Sequence, residues 1–503
     1  MKMKRQQMLL IEPPFYRLYN INSSLDNLPL SLGYLAGVIR ARKPNWMVRI
    51  YNSEFSPHSL SMSYKYIAGQ GFDNYLSTLK DPHSPIWEEI ENTIRKAAPS
   101  VVGITVKSQN YASACIIARI AKSIDNNILV IFGGPHVTLI KGELLNNPMI
   151  DIGVLGEGEE TIVEILDTFE GNKPLSTVKG IVYREGNKVV EKQPREFIHD
   201  LDSLPFPVTI AKNCLIDFEK YPRQAFKYIF ALRGCPFSCT FCGSHCTWSR
   251  KVRFRSIENI IAEIQEIQKL GVTYIHFNDD TWGIKKSFIQ ELCMTIKEKC
   301  PGLSWSCEMH VKLVDEETIA LMKSAGCRLI QIGVESGNNE MLKLIKKNIT
   351  IEDAFSAARI IKKHKINLET FFMVGFPHET EESLDDTISA ITSIPTDLVI
   401  YSIFTPYFGT ELFDYCKKQG IISDDFDASL YNHQSPENYF CPNIPQDVFK
   451  ECVRKLEKKL DGINNRKGLK RYLSREGYLK FKERGFKRSI LKLVYIFSKA
   501  FQQ

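Results

Sequence analysis

Apolar residues along this chain fall into short continuous runs that alternate with stretches of helical period. Residues 8–12 form an apolar strand that stops at Pro13-Pro14, and residues 29–40 carry apolar positions at helical spacing, with Pro29 suited to the first turn. Strands are predicted at 48–51, 101–106, 128–132 and 152–155, with a helix over 111–124 and another after Gly156. Strand–helix alternation of this kind predicts a doubly wound parallel sheet, with ligands off the carboxyl ends of its strands. The pairs 180–183 and 188–191, flanking Glu185-Gly-Asn, read as a hairpin in the linker that follows. The stretch 200–207, ending Pro-Phe-Pro, punctuates a boundary.

The alternation then resumes. Strands are predicted at 228–232, 274–277, 303–308, 329–335, 367–374 and 397–404, and helices at 257–270 and 315–325 stop at Gly271 and Gly326. Residues 445–460 read as a further helix. The chain is expected to divide into an N-terminal domain over 1–190, a linker over 191–226, six β/α units over 227–425 and a basic, mostly helical region over 426–503.

Composition narrows the setting. A chain of 503 residues with 44% hydrophobic content can bury several cores. Its 13 cysteines are odd in number and thinly spread, which does not suit a secreted disulfide framework and fits a reducing cytoplasm. The apolar stretch behind the basic N-terminus is too short for a signal peptide, and no run approaches a membrane span. Residues 450–503 hold 17 Lys and Arg against 5 Asp and Glu, so this end carries +12 of the net +7 and the remainder carries −5. A solvated helical face accounts for that charge, with an anionic membrane surface, an acidic partner or nucleic acid as the alternatives, and no helix-turn-helix or zinc-finger pattern points to nucleic acid. The apolar stretch 489–499 can dock on the protein body or make peripheral contact with a membrane surface.

The chemistry is concentrated in Arg233-Gly-Cys235-Pro-Phe-Ser-Cys239-Thr-Phe-Cys242. Three thiolates at C-x3-C-x2-C can hold three irons of a [4Fe–4S] cluster and leave the fourth open to a ligand. The alternative is zinc with Cys246 as fourth ligand, but structural zinc usually takes two separated pairs, and no second pair is present. The spacing resembles the signature of the radical S-adenosylmethionine enzymes, whose open iron chelates the methionine moiety of the cofactor. That resemblance implies a partial (β/α)6 barrel resembling a TIM barrel over the central units, with chemistry at the carboxyl ends of the strands. It also implies electron supply from a reductase such as flavodoxin or ferredoxin, and reductive cleavage of S-adenosylmethionine to a 5′-deoxyadenosyl radical.

By the same resemblance, Phe241 lies near the adenine, and Asn278 and Asp280 meet the methionine amino group or the substrate. Glu335 and Ser336 meet the ribose or methionine part, and Gly375 marks a turn whose amides approach the adenosine. His310 and His378 are candidate proton-transfer groups. Gly133-Gly134-Pro135-His136 and Gly156-Glu157-Gly158-Glu159 resemble the strand-end loops of the Rossmann-like cobalamin-binding domain that precedes the barrel in many family members. Thr105, Ser108, Gly133, Gly134, Gly156, Glu157 and Gly158 are the residues this resemblance places at the corrin. The Asp-x-His-x-x-Gly pattern that supplies an axial histidine is missing from the sequence, so His136 reads as a loop or structural residue. Methylthiotransferases need three further cluster cysteines before Cys235, where this chain has Cys115 and Cys214. The resemblance thus implies a cobalamin-dependent radical methyltransferase acting on an unactivated carbon of a small molecule or peptide. A cyclase, dehydratase or epimerase with a non-methylating or empty cobalamin domain is the alternative, and a non-catalytic iron–sulfur or cobalamin-binding regulator a third reading.

Overall fold

The computed structural model describes residues 6–57, 64–433 and 435–472. The apolar stretch 489–499 lies outside the described residues. Among the described residues no helix is long and apolar enough to cross a membrane. The described residues divide into two compact units, one drawn from 6–280, 294–304 and 405–437, the other from 281–293, 305–404 and 438–472.

The first unit is built on a seven-stranded sheet. Its strands are β1 (Gln7–Glu12), β2 (Met47–Asn52), β3 (Val101–Thr105), β4 (Leu129–Gly133), β5 (Ile152–Val154), β6 (Ile181–Glu185) and β7 (Lys188–Glu191), in the order β2-β1-β3-β4-β5-β6-β7. The first five are parallel, and β1 and β3, neighbours in space but not in sequence, mark the point where the winding reverses. Ligands bind at such switch points, outside the carboxyl ends of the strands. Val102, Ile104, Val130 and Phe132 are almost wholly buried, as strands covered on both faces require.

The hairpin expected in the linker is instead the edge of this sheet. β6 pairs antiparallel with β5, and β7 with β6, so the sheet is mixed. The reason is apolar: Ile181, Val182 and Tyr183 bury themselves against the sheet, while β7 is largely exposed.

The second half of the chain supplies six β/α pairs. In the first unit β8 (Tyr228–Ile229) pairs in parallel with β11 (Tyr274–Trp282). The strand expected over 228–232 is interrupted: β9 (Leu232–Arg233) leaves β8 and pairs antiparallel with β10 (Arg253–Phe254). Asp279 Oδ1 causes the break by accepting the amides of Ala231 and Leu232 at 2.8 and 2.9 Å, in place of a strand neighbour.

The second unit carries β12 (Ser304–Met309), β13 (Cys327–Glu335), β14 (Asn367–Val374) and β15 (Leu398–Ile403), parallel in chain order. Ile330, Ile332 and Val334 point to the buried side of β13, while Gln331 and Gly333 between them are partly exposed. The helices Glu316–Ser324, Ile351–Lys363 and Glu381–Ser393 start on side-chain caps from Asp315, Thr350 and Thr380. The expected C-terminal helix runs Gln446–Tyr472.

Candidate functional site

The cysteine loop spans residues 234–252, between β9 and β10. It begins at Gly234, whose φ is +106° and where a Cβ would lie 2.6 Å from the Lys251 carbonyl oxygen, so no side chain fits. Cys235, Cys239 and Cys242 are half-buried on irregular backbone, and the Cys242 amide donates to Cys239 O at 3.2 Å. Cys214, Cys293, Cys300, Cys307, Cys327, Cys416 and Cys441 are instead fully buried in the core. In a cluster each thiolate binds a different iron, so the sulfurs need not converge on one point. Among the described residues no three His, Cys, Asp or Glu side chains converge as a single-ion site would need. Cys246 is engaged elsewhere: its thiol donates to Gly409 O at 3.3 Å, and burial pushes its pKa up. Three half-buried soft donors on one irregular loop fit a cluster with one open iron.

Two buried acidic systems hold the base of this loop. Asp279 is 3% exposed; its Oδ1 accepts two amides, and its Oδ2 has no hydrogen-bond partner among the described residues. Burial pushes its pKa up to about 8, so the carboxyl is protonated at neutral pH. Its neighbours Asn278 and Asp280 point the other way and are exposed; Asp280 Oδ2 accepts from Ser244 Oγ at 2.6 Å, behind Cys242. Phe241 is half-buried within the loop.

The second system joins the loop to the turn after β5. Glu157 Oε1 accepts from Arg233 at 2.8 Å, Glu157 Oε2 from Arg253 at 2.9 Å and from the Ile198 amide at 2.6 Å. Glu159 takes the other Arg233 nitrogen at 2.6 Å. Burial works to raise the Glu157 pKa, but the Arg253 hydrogen bond and the Arg233 charge outweigh it and hold the carboxyl below its ordinary value. The Glu157 side chain is therefore committed to arginines, and sequence reasoning did not find this network. Its partners lie 76 and 96 residues away along the chain, with no local signal.

The other residues expected at the corrin line the carboxyl ends of β3, β4 and β5. Thr105 and Gly133 end their strands side by side. Gly134 has φ +111°, and a Cβ there would come within 2.8 Å of Val106 O. Gly156 has φ +72° and faces open space, while a Cβ on Gly158 would press on Leu35 at 3.3 Å. An open glycine at a strand end is a cradle that a flat macrocycle can approach closely, so this glycine-lined edge fits a corrin. Ser108 Oγ lies 3.0 Å from His136 Nδ1. His136 is 2% exposed, packed between Tyr111 and Phe408, and burial pushes its pKa down to about 4. It is a neutral packing residue in the first turn of the short helix Pro135–Ile140, not a loop residue.

Glu335, Ser336 and Gly375 belong to the second unit. Glu335 ends β13 at φ +73°, past a register shift, and its Oε1 lies 2.7 Å from Lys347 Nζ. Lys347, which the sequence reading missed, also accepts at its carbonyl from His310 Nε2 at 3.2 Å. Burial drives the His310 pKa down to about 3, so the ring is neutral. The Ser336 hydroxyl is fully buried 3.1 Å from Thr387 Oγ1. Gly375 has φ +84°, its amide donates to Glu379, and a Cβ would meet the Phe449 ring at 2.9 Å. Glu379 is wholly buried, and burial pushes its pKa up to about 7.

The radical SAM superfamily model matches residues 229–391, and the B12 binding domain model matches residues 16–166. An uncharacterized methyltransferase of Pyrococcus horikoshii is 31% identical over 424 residues, covering 84% of this chain and 85% of that protein. The anaerobic magnesium-protoporphyrin IX monomethyl ester cyclase of Cereibacter sphaeroides is 28% identical over 362 residues, covering 69% of this chain and 58% of its own. Among solved structures, the radical S-adenosylmethionine methyltransferase TsrM of Kitasatospora setae, with cobalamin and [4Fe–4S] cluster bound, superposes with a TM-score of 0.66 at 16% identity, over 92% of this chain and 89% of that one. That likeness establishes the shared fold. The chain belongs to the radical S-adenosylmethionine superfamily, among the members that carry a B12-binding domain. It is an enzyme whose cofactors are a [4Fe–4S] cluster, S-adenosylmethionine and cobalamin.

Proposed function

We propose that the protein is a cobalamin-dependent radical methyltransferase that adds a methyl group to an unactivated carbon of a small molecule or peptide. The observation that carries this reading is the union of the glycine-lined B12-binding sheet and the three-cysteine loop in one compact unit. When bound, the cluster supplies an electron to S-adenosylmethionine, and cobalamin supplies a methyl carrier. Cys235, Cys239 and Cys242 hold the cluster. Thr105, Ser108, Gly133, Gly134, Gly156 and Gly158 border the corrin, with Glu157 beside them. Phe241 lies near the adenine, Asn278 and Asp280 bind the methionine amino group or substrate, and Glu335, the Ser336 backbone and the Gly375 turn bind the adenosyl part. The working domains are 1–190, 227–425 and 426–503, with 191–226 between the first two. The enzyme works in the cytoplasm beside a flavodoxin- or ferredoxin-type reductase.

A second reading, radical cyclisation without methyl transfer, is favoured by the cyclase relative. The test is anaerobic reconstitution with iron, sulfide and hydroxocobalamin, followed by desalting, absorption spectroscopy and reductive turnover. Corrin retained beside the cluster band, and S-adenosylhomocysteine formed with 5′-deoxyadenosine, support methyl transfer. 5′-Deoxyadenosine without S-adenosylhomocysteine turns the assignment to the second reading.

A further inference from the structure

Arg233 and Arg253 stand directly opposite each other where β9 pairs with β10. They are the innermost pair before the chain opens into the loop that carries the three cysteines. Like charges at facing positions of an antiparallel pair repel. Both side chains are nearly buried, 5% and 10% exposed, so water screens the repulsion weakly. Closure at this point therefore needs an anion between them, and Glu157 is that anion, with contacts of 2.8 and 2.9 Å to the two guanidiniums. Glu159 balances the second positive charge through Arg233. Arg253 Nε and Nη2 have no partner among the described residues, so Glu157 is its one anionic contact. Trp248, inside the loop, lies 4.8 Å from the Arg233 guanidinium and extends the same packing toward the cysteines.

Glu157 sits between Gly156, which faces open space, and Gly158, in the turn after β5. The backbone of one turn thus borders the B12-binding crevice while its side chain closes the cysteine loop. We propose that Glu157 is a positioning residue: it bridges Arg233 and Arg253, shuts the neck of the loop, and fixes the cluster relative to the B12-binding sheet. The inference rests on the cofactor assignment above, and it gives the Glu157 carboxylate to the arginines rather than to the corrin.

The test uses the full chain, reconstituted with iron, sulfide and hydroxocobalamin and desalted, as wild type, Glu157→Gln, Arg253→Gln and the Glu157→Gln/Arg253→Gln double variant. Iron per chain, corrin per chain and the electron paramagnetic resonance spectrum of the reduced cluster are read, with thermal unfolding as the control for folding. Glu157→Gln is expected to lose iron several-fold and to alter the cluster spectrum while retaining corrin. The double variant, which removes the facing charge as well, regains iron toward the wild-type level, a non-additivity that loss of structure alone would not give. Glu157→Gln with wild-type iron and lost corrin overturns the proposal and makes the carboxylate a corrin contact. Iron lost in Glu157→Gln and not regained in the double variant overturns the counter-ion role. Should Glu157→Gln fail to fold, a folded double variant decides: wild-type iron supports the proposal, and absent iron overturns it. Wild-type protein that takes up iron but no corrin defeats the cofactor assignment and leaves the iron comparison intact.

Discussion

Lys347 Nζ lies 2.7 Å from Glu335 Oε1, and both side chains are about nine-tenths buried. The pair fixes a carboxylate at the end of β13 on backbone in the left-handed region, at φ +73°. Breaking a buried pair by removing one partner leaves an uncompensated charge, at about 3–5 kcal/mol. Lys347→Met is therefore expected to lower the stability of the second unit by about 3 kcal/mol. Urea unfolding checks this, and Glu335→Gln in the same chain is expected to recover much of the loss, because the orphaned charge is then gone.

Asp279 gives a pH signature. Burial raises its folded pKa from an ordinary 3.8 to about 8. A group raised in the folded state contributes stability that is complete below the unfolded pKa and is lost as pH rises through the folded one. Wild-type stability should thus carry a decline between roughly pH 4 and roughly pH 8 that Asp279→Asn lacks, since the amide keeps the acceptor for Ala231 and Leu232 and cannot ionise. Unfolding of both proteins across that range would show parallel curves if the carboxyl were already ionised at neutral pH.

Cys246 separates the two metal readings. With three ligands to a cluster, Cys246→Ala keeps iron per chain at the wild-type level, whereas alanine at Cys235, Cys239 or Cys242 removes most of it. Iron and zinc analysis of the four variants is sufficient, and loss of bound metal in Cys246→Ala would point to a four-cysteine site.

Gly156 and Gly134 should fail differently. A non-glycine residue with positive φ costs on the order of 1–2 kcal/mol, and Gly156→Val should lose about that much. At Gly134 a Cβ also strikes Val106 O, so Gly134→Ala should cost more although the side chain is smaller. Because Gly156 faces open space, its valine variant is expected to fold and to lose corrin. Thermal unfolding of the apoprotein beside corrin per chain distinguishes the two effects.

Much of this architecture could be read from the chain. Short runs dominated by apolar and β-branched residues, such as 101–106 and 128–132, match covered strands by their length, and the cysteine spacing is a local signal for its chemistry. What escaped detection was set by distant partners. The first barrel strand was expected to run through Leu232, and it stops at Ile229 because Asp279, nearly fifty residues on, takes the intervening amides. The 181–191 hairpin looked like a connector because its own sequence says nothing of the open edge at β5. Glu157 was expected at the corrin because its flanking glycines suggest a ligand turn, while the arginines that bind its carboxylate belong to a later part of the chain. Lys347 gave no signal because a lysine in the run Lys346-Lys347-Asn348 ordinarily lies in solvent.

The edge hairpin has a consequence for the order of events in synthesis. All seven strands of the B12-binding sheet lie before residue 192, so the sheet has every strand it needs while the cysteine loop is still to be made. Domains fold as units, N-terminal ones first, as the chain emerges. Glu157 and Glu159 are then already fixed in their turn when Arg233, and twenty residues later Arg253, arrive to meet them. The half that folds first presents the template on which the iron-binding half closes.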